Sequence, residues 1–140
     1  MCNDWPFSAA STLVAHETIA SDVFDRLQEA TTADPKELTG LCRDYLSEAR
    51  RTLGQLRSAL AQRDAGRLRD RAHYLRGSSL VLGATAVARL CASLEQMGRN
   101  DELLNAAPVL VQASLALDAV QAELARRLGD SVVPVEGSVA

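Results

Sequence analysis

The feature that most restricts the fold is a series of apolar stripes at helical spacing, separated by short polar links. The clearest stripe has spacings of four, three, four and three residues and consists of Leu68, Ala72, Leu75, Ser79 and Leu82. Such positions lie on one face of an α-helix, which has about 3.6 residues per turn. Ala, Leu and Arg dominate, and aromatic residues make up only 4%. These features argue against an all-β fold and against a parallel α/β sheet.

Start and stop signals divide the chain into five predicted helices. The predicted ends lie near Ala30, near Arg63, at Gly83, at Gly98 and at Gly129. The predicted N-caps are Asp34, Asp64 and either Asn100 or Asp101. The predicted inner face of the last helix carries Leu110, Ser114, Leu117, Gln121, Leu124 and Leu128. Pro108 leaves the start of that helix open.

Four of these helices are long and amphipathic, and short links between long helices make consecutive helices antiparallel neighbours. The sequence therefore predicts an all-α fold, an antiparallel up-down four-helix bundle, with the shorter first helix across one end. We expect a loose N-terminal segment at 1–16, the bundle at 17–129 and a flexible tail at 130–140.

Composition narrows the environment and the partners. The net charge is −3 at pH 7, which argues against nucleic acid and against a membrane surface. The most apolar stretch, 103–120, is interrupted by polar residues and is not expected to span a membrane. The chain has three cysteines and no CxxC pair, which favours a reducing compartment. Asp4 stands where a secretory signal needs a base, and both features favour the cytoplasm. We expect a monomer there.

His73 is the residue with the clearest chemical potential. On a helical wheel it lies about 140° from the centre of the apolar stripe and therefore faces solvent. Its predicted neighbours on that face are Arg69, Asp70, Arg76, Gly77 and Leu80. A neutral imidazole is a nucleophile, and the cation of Arg76 can neutralise a phosphoryl group placed on it. Gly77 leaves room for an approaching domain, and Leu80 offers that domain an apolar contact.

A histidine exposed on a helix is usually only a solvated residue. The local anomaly is Gly77, because glycine inside a helix costs about 1 kcal/mol relative to alanine. The wheel places Gly77 outside the core, so access to His73 explains it better than close helix packing. His16, the other histidine, has no adjacent base or glycine.

The sequence around His73 and after it contains four short motifs. They are AHYLRGSS at 72–79, LGA at 82–84, a cysteine at 91 and LE at 94–95. On these motifs the sequence resembles the histidine-containing phosphotransfer (HPt) family, over roughly residues 34–128. The resemblance implies a four-helix bundle, in agreement with the periodicity.

The resemblance also implies roles for individual residues. His73 would be phosphorylated, Arg76 stands where the family usually has lysine, and Gly77 matches the glycine that gives access to the histidine. Glu95 matches a position whose side chain reaches the other ring nitrogen, although an ordinary exposed helix acid is an equal interpretation. The expected docking residues are Arg69, Asp70, Tyr74 and Leu80.

The implied function is a phosphoryl carrier, rather than a stand-alone enzyme, with neither cofactor nor metal of its own. Its partners would be receiver domains of response regulators or of hybrid histidine kinases. Residues 50–76 carry eight arginines and two aspartates, a local charge of +6 that suits an acidic partner or is simply a solvated face. The alternatives are a helical module that docks a receiver or kinase domain without phosphotransfer, and a bundle that dimerises through Leu80.

Overall fold

The computed structural model describes residues 18–31 and 34–134, and over these ranges it is helical with no strand. The α-helices are α1 (Ser21–Ala30), α2 (Pro35–Ala61), α3 (Ala65–Leu82), α4 (Thr85–Asn100) and α5 (Ala106–Leu128). Short 3₁₀ turns, Leu103–Asn105 and Asp130–Val132, lie on either side of α5. The predicted segment 1–16, which contains His16 and Cys2, lies outside the described residues. Of the predicted tail, residues 130–134 are described, and Val132 within them is buried.

Helices α2 to α5 form a four-membered ring in which each helix packs against its two neighbours. Two of the predicted N-caps are present: the Asp34 carboxylate accepts from the Lys36 amide at 3.0 Å, and the Asp64 carboxylate accepts from the Arg67 amide at 3.0 Å. Gly83 ends α3 with φ +91°, a conformation that glycine adopts without strain. The predicted all-helical bundle is confirmed.

The core lies along the axis of this ring. All five residues of the stripe on α3 are buried, as the periodicity predicts. Cys42 and Cys91 are buried free thiols. The buried Ser79 hydroxyl is paired with the Tyr45 hydroxyl of α2 at 2.7 Å, which satisfies two polar groups inside the core.

Helix α1 is docked at the end of the bundle where α3 stops. The Ala20 amide donates to the Gly83 carbonyl at 2.8 Å, and Phe24 is buried. A Cβ atom on Gly83 would lie 3.1 Å from the Ala20 carbonyl oxygen, so the close contact also requires glycine. The Arg127 guanidinium of α5 lies 5.2 Å from the centre of the Phe24 ring.

The end of α4 differs from the prediction. The helix does not stop at Gly98 but continues to Asn100. A Cβ atom on Gly98 would lie 2.7 Å from both the Ala65 carbonyl oxygen and the Arg69 amide nitrogen. The glycine is therefore needed because α4 approaches the first turns of α3 closely, and not because it ends the helix.

The predicted cap of the last helix is also wrong. Asp101 has φ +58° and terminates α4, and a 3₁₀ turn separates it from α5. Helix α5 begins at Ala106 without a side-chain cap, and Pro108 lies in its first turn, where a missing amide proton costs little.

The inner face of α5 is rotated slightly from the predicted one. Ala113 and Val120 are buried, whereas Ser114 and Gln121 are half-exposed. The stretch Leu103–Leu128 is long and apolar enough to cross a membrane, although its polar residues predicted otherwise. In the bundle, 28% of its most apolar window is buried. The core helix of a soluble protein passes the same test, so this is weak evidence for a membrane.

Candidate functional site

The His73 ring projects from α3 into solvent, with 64% of the side chain exposed. Its neighbour in sequence, Ala72, and Leu75 two residues later are both buried, which fixes the helix rotation that turns His73 outward. The exposed ring is therefore a consequence of the apolar stripe on the same helix.

Glu95 of α4 lies next to the His73 ring. Its side chain is only 7% exposed, so the interpretation as an ordinary exposed acid is wrong. Glu95 Oε2 lies 3.0 Å from His73 Nδ1. A carboxylate only accepts hydrogen bonds, so the proton of the neutral ring lies on Nδ1 and the lone pair on Nε2. Nε2 is thus the nucleophilic nitrogen.

Two arginines hold the Glu95 carboxylate in place. Arg76 Nε lies 3.2 Å from Glu95 Oε1, and an Arg99 guanidinium nitrogen lies 3.0 Å from Oε2. Burial alone would raise the pKa of Glu95. The hydrogen bond from His73 and the charges of the two arginines outweigh it, and the pKa lies below its ordinary value. The acceptor for Nδ1 therefore remains ionised.

Arg76 does not take the position expected of it. Its guanidinium is engaged with Glu95 on the Nδ1 side of the ring, whereas a phosphoryl group would be attached to Nε2. A second Arg76 nitrogen lies 3.4 Å from Nδ1, but with Nδ1 protonated both atoms are donors, so this is a contact and not a hydrogen bond.

Sequence reasoning missed Arg99. The available signal was its position four residues after Glu95 on one helix, a spacing at which opposite charges meet. Arg71 was missed as well, and its guanidinium lies 5.3 Å from the centre of the Tyr74 ring.

Gly77 lies one turn beyond His73 on the exposed surface of α3. A Cβ atom there would meet nothing within 4 Å, so no packing within the described chain requires glycine. The neighbouring Leu80 and Val81 are large apolar side chains that remain exposed. Together they form an open apolar surface next to an open backbone.

The other side of His73 is a shallow, positively charged depression of about 560 Å³. It is lined by Arg69, Asp70, Arg71, His73, Tyr74, Glu95 and Arg99. Arg69 Nε lies 3.1 Å from the Asp70 carboxylate, so this predicted pair is brought together beside the ring. Over residues 18–31 and 34–134 there is no group of three or more His, Cys, Asp or Glu side chains that could hold a metal ion.

Comparison with known protein families shows which family this chain belongs to. The model of the Hpt domain matches residues 40–126, which is more than half of the chain. The chain belongs to the Hpt domain family. Within this Hpt domain the match includes all of α3 and α4, and so every residue of the site around His73.

Known proteins resemble this Hpt domain over different extents. Multistep phosphorelay regulator 1 of Schizosaccharomyces pombe is 32% identical over 83 residues, 59% of this chain but only 28% of that protein. The chain thus spans less than a third of that relative. The crystal structure of histidine-containing phosphotransfer protein B (HptB) from Pseudomonas aeruginosa PAO1 superposes with a TM-score of 0.75 and 27% identity, covering 79% of this chain and 94% of that one.

A second solved structure, that of Ypd1p, also gives a TM-score of 0.75 and covers 82% of this chain and 96% of that chain. Its identity is 18%, so it shows the shared fold alone.

Proposed function

We propose that this Hpt domain carries a phosphoryl group on His73 between aspartates of receiver domains in a multistep phosphorelay. The observation that carries the proposal is the state of the ring: Nδ1 is bound to a buried, ionised Glu95, and 64% of the His73 side chain is exposed to solvent. Membership of the Hpt domain family and the similarity to a phosphotransfer protein and a phosphorelay regulator support the same function.

In this mechanism the lone pair on Nε2 attacks the phosphorus of a receiver's phosphoaspartate in line. The N–P bond forms as the acyl phosphate P–O bond breaks, and the aspartate carboxylate leaves. In the second half-reaction, a carboxylate of another receiver attacks the phosphohistidine and frees Nε2. The receivers provide most of the charge stabilisation at phosphorus.

Glu95 acts on the opposite side of the ring. The ring gains positive charge as the N–P bond forms, because the proton on Nδ1 stays in place. The Glu95 carboxylate faces that proton at 3.0 Å and stabilises the charge without having to move. Arg76 and Arg99 hold the carboxylate in this orientation, and Arg76 thus serves the site through Glu95 rather than through the phosphoryl group.

The proposed partners are receiver domains of response regulators or of hybrid histidine kinases. Leu80 and Tyr74 supply apolar contact on either side of His73, and Arg69 gives a positive edge that suits the clustered aspartates of a receiver. The protein would act as a carrier that turns over no substrate alone, and we place it in the cytoplasm with its partners.

The decisive experiment transfers label from a radiolabelled phosphoreceiver to the full chain. Phosphohistidine is expected, recognised as label that is lost in acid and stable in base. The His73→Gln variant should take up none, whereas His16→Gln, which changes the other histidine, should be labelled as the wild type is.

Two outcomes would contradict the proposal. Label that persists in His73→Gln would remove that ring from the mechanism. Binding of receivers without any label would instead identify a docking module that does not transfer phosphate.

A further inference from the structure

Helix α5 has a second apolar face opposite the one that packs in the core. This outer face, which includes one residue of the preceding turn, consists of Leu104, Pro108, Val111, Leu115, Ala119 and Ala122. The spacings of four, three, four, four and three residues place them on one line along the helix. All six are exposed, with Leu104 at 89%, Val111 at 60% and Leu115 at 62%.

A solvated helix normally carries charged residues opposite its core face. The outward surface of α3 follows that rule, with Asp70 and His73 exposed and Arg69 half-exposed. On the exposed side of α5 from Leu104 to Ala122 the one charged residue is Asp118, which lies at the edge of the outer face and pairs with Arg50 of α2 at 2.7 Å. A helix that is largely apolar on both sides is usually covered on both. This face is therefore a candidate interface.

A groove of about 470 Å³ extends the outer face towards α2. Leu60 and Arg57 of α2 line one wall, and Val111 and Leu115 line the other. One helix face and one adjoining groove make a small surface compared with that of an obligate interface. Such a surface suits a reversible dimer.

The charges at the two ends of the face are complementary to those of a second copy. Glu102 lies just before the face and Arg126 just after it, and both are exposed. If two α5 helices cross antiparallel at Leu115, Arg126 of one copy approaches Glu102 of the other, since the two residues lie eleven and thirteen positions from the centre. A parallel pair would place like charges together instead.

We propose that the outer face of α5 is a homodimer interface, with two copies packed antiparallel about Leu115. This replaces the monomer expected from the sequence and differs from the alternative dimer through Leu80. The proposal does not depend on phosphotransfer. His73 and Glu95 belong to α3 and α4 and are not part of the face, so both sites of a dimer remain open to partners.

The test is sedimentation equilibrium of the full chain from about 1 µM to 1 mM. The wild type is expected to associate reversibly into a dimer. Leu115→Glu should raise the dissociation constant at least about tenfold, because it buries two like charges at the symmetry axis. Leu80→Glu, the matched control on the exposed surface of α3, should leave the dissociation constant unchanged.

Charge reversal identifies the partner as a second copy. Glu102→Arg and Arg126→Glu should each weaken the dimer several-fold, and the double variant should recover the wild-type constant. Thermal unfolding by circular dichroism controls for the fold, because Arg126 also forms an ion pair with Glu123 within the chain.

The proposal is overturned if the wild type stays monomeric at 1 mM, if Leu115→Glu associates as well as the wild type, or if the double charge reversal does not recover association. A monomer that sediments with vesicles of phosphatidylcholine and phosphatidylglycerol, and loses that binding in Leu115→Glu, would assign the face to a membrane and equally refute the dimer.

Discussion

Replacing Gly77 by alanine should make the protein more stable and less active. The residue is exposed inside α3, and the added Cβ would meet no atom within 4 Å. Alanine is favoured over glycine in a helix interior by about 1 kcal/mol. The free energy of unfolding should therefore rise by about 1 kcal/mol, and the midpoint of thermal unfolding by about 3–5 °C.

Gly54 provides a matched control. It also lies exposed inside a long helix, α2, and a Cβ there would also meet nothing within 4 Å. Gly54→Ala should give the same stabilisation as Gly77→Ala, since the helix propensity term is the same. It should leave phosphotransfer unaffected, because Gly54 is not part of the site around His73.

Rapid-quench measurements of transfer from a phosphorylated receiver would separate the two variants. In Gly77→Ala the methyl group stands between His73 and Leu80, where the proposed receiver partner would come close. A displacement of about 1 Å between reacting atoms can cost 100-fold in rate, so we expect the second-order rate constant to fall at least about tenfold.

Two results would refute this reasoning. Wild-type transfer in Gly77→Ala would mean that the open backbone is not needed by the receiver. A loss of stability in Gly77→Ala but not in Gly54→Ala would mean that Gly77 is packed against other atoms in the folded protein rather than exposed.

Three further predictions concern buried groups. The folded-state pKa of Glu95 lies below its ordinary value of 4.5, so its contribution to stability is present above that pH and is lost as the pH falls through the lower value. Glu95→Gln should lower the unfolding free energy at pH 7 by about 1–2 kcal/mol, a modest cost because its charged partners are partly exposed. In thermal melts, the stability of this variant should depend less on pH in the acid range than that of the wild type. Burial raises the pKa of Cys42 to about 11 and that of Cys91 to about 12. In a Cys2→Ser variant at pH 8, neither thiol should react with an aromatic disulfide reagent until guanidinium unfolds the chain, and a fast reaction in the native state would contradict their burial. Tyr45→Phe should lower the free energy of unfolding in urea by about 1–3 kcal/mol, because it leaves the buried Ser79 hydroxyl without its partner. The double variant with Ser79→Ala should recover part of this loss.

The sequence predicted α3 and the outward direction of His73 because one regular apolar stripe, from Leu68 to Leu82, runs the length of that helix, and such a stripe defines the rotation of a helix. It could not define the rotation of α5, which is apolar on two sides, so Ser114 and Gln121 were assigned to the core in place of Ala113 and Val120. Periodicity carries no information about phase when both faces are apolar.

The remaining differences at the site depend on contacts between helices. Whether Glu95 is exposed or buried is decided by how close α4 lies to α3, which no spacing within α4 reports. Arg76 has a long, flexible side chain that finds its partner on the neighbouring helix, so its position on the outward surface of α3 did not predict which atoms it binds.

The close approach at Gly98 governs the geometry of the site from a distance. A Cβ atom on Gly98 would lie 2.7 Å from backbone atoms of α3, so any side chain there would force α3 and α4 apart. Glu95 lies one turn away on α4 and would move with that helix. The 3.0 Å hydrogen bond to the ring has little room to lengthen before it is lost. An inactivating substitution can therefore occur at a buried position with no charge and no nucleophile, and a mutational survey confined to polar surface residues would overlook it.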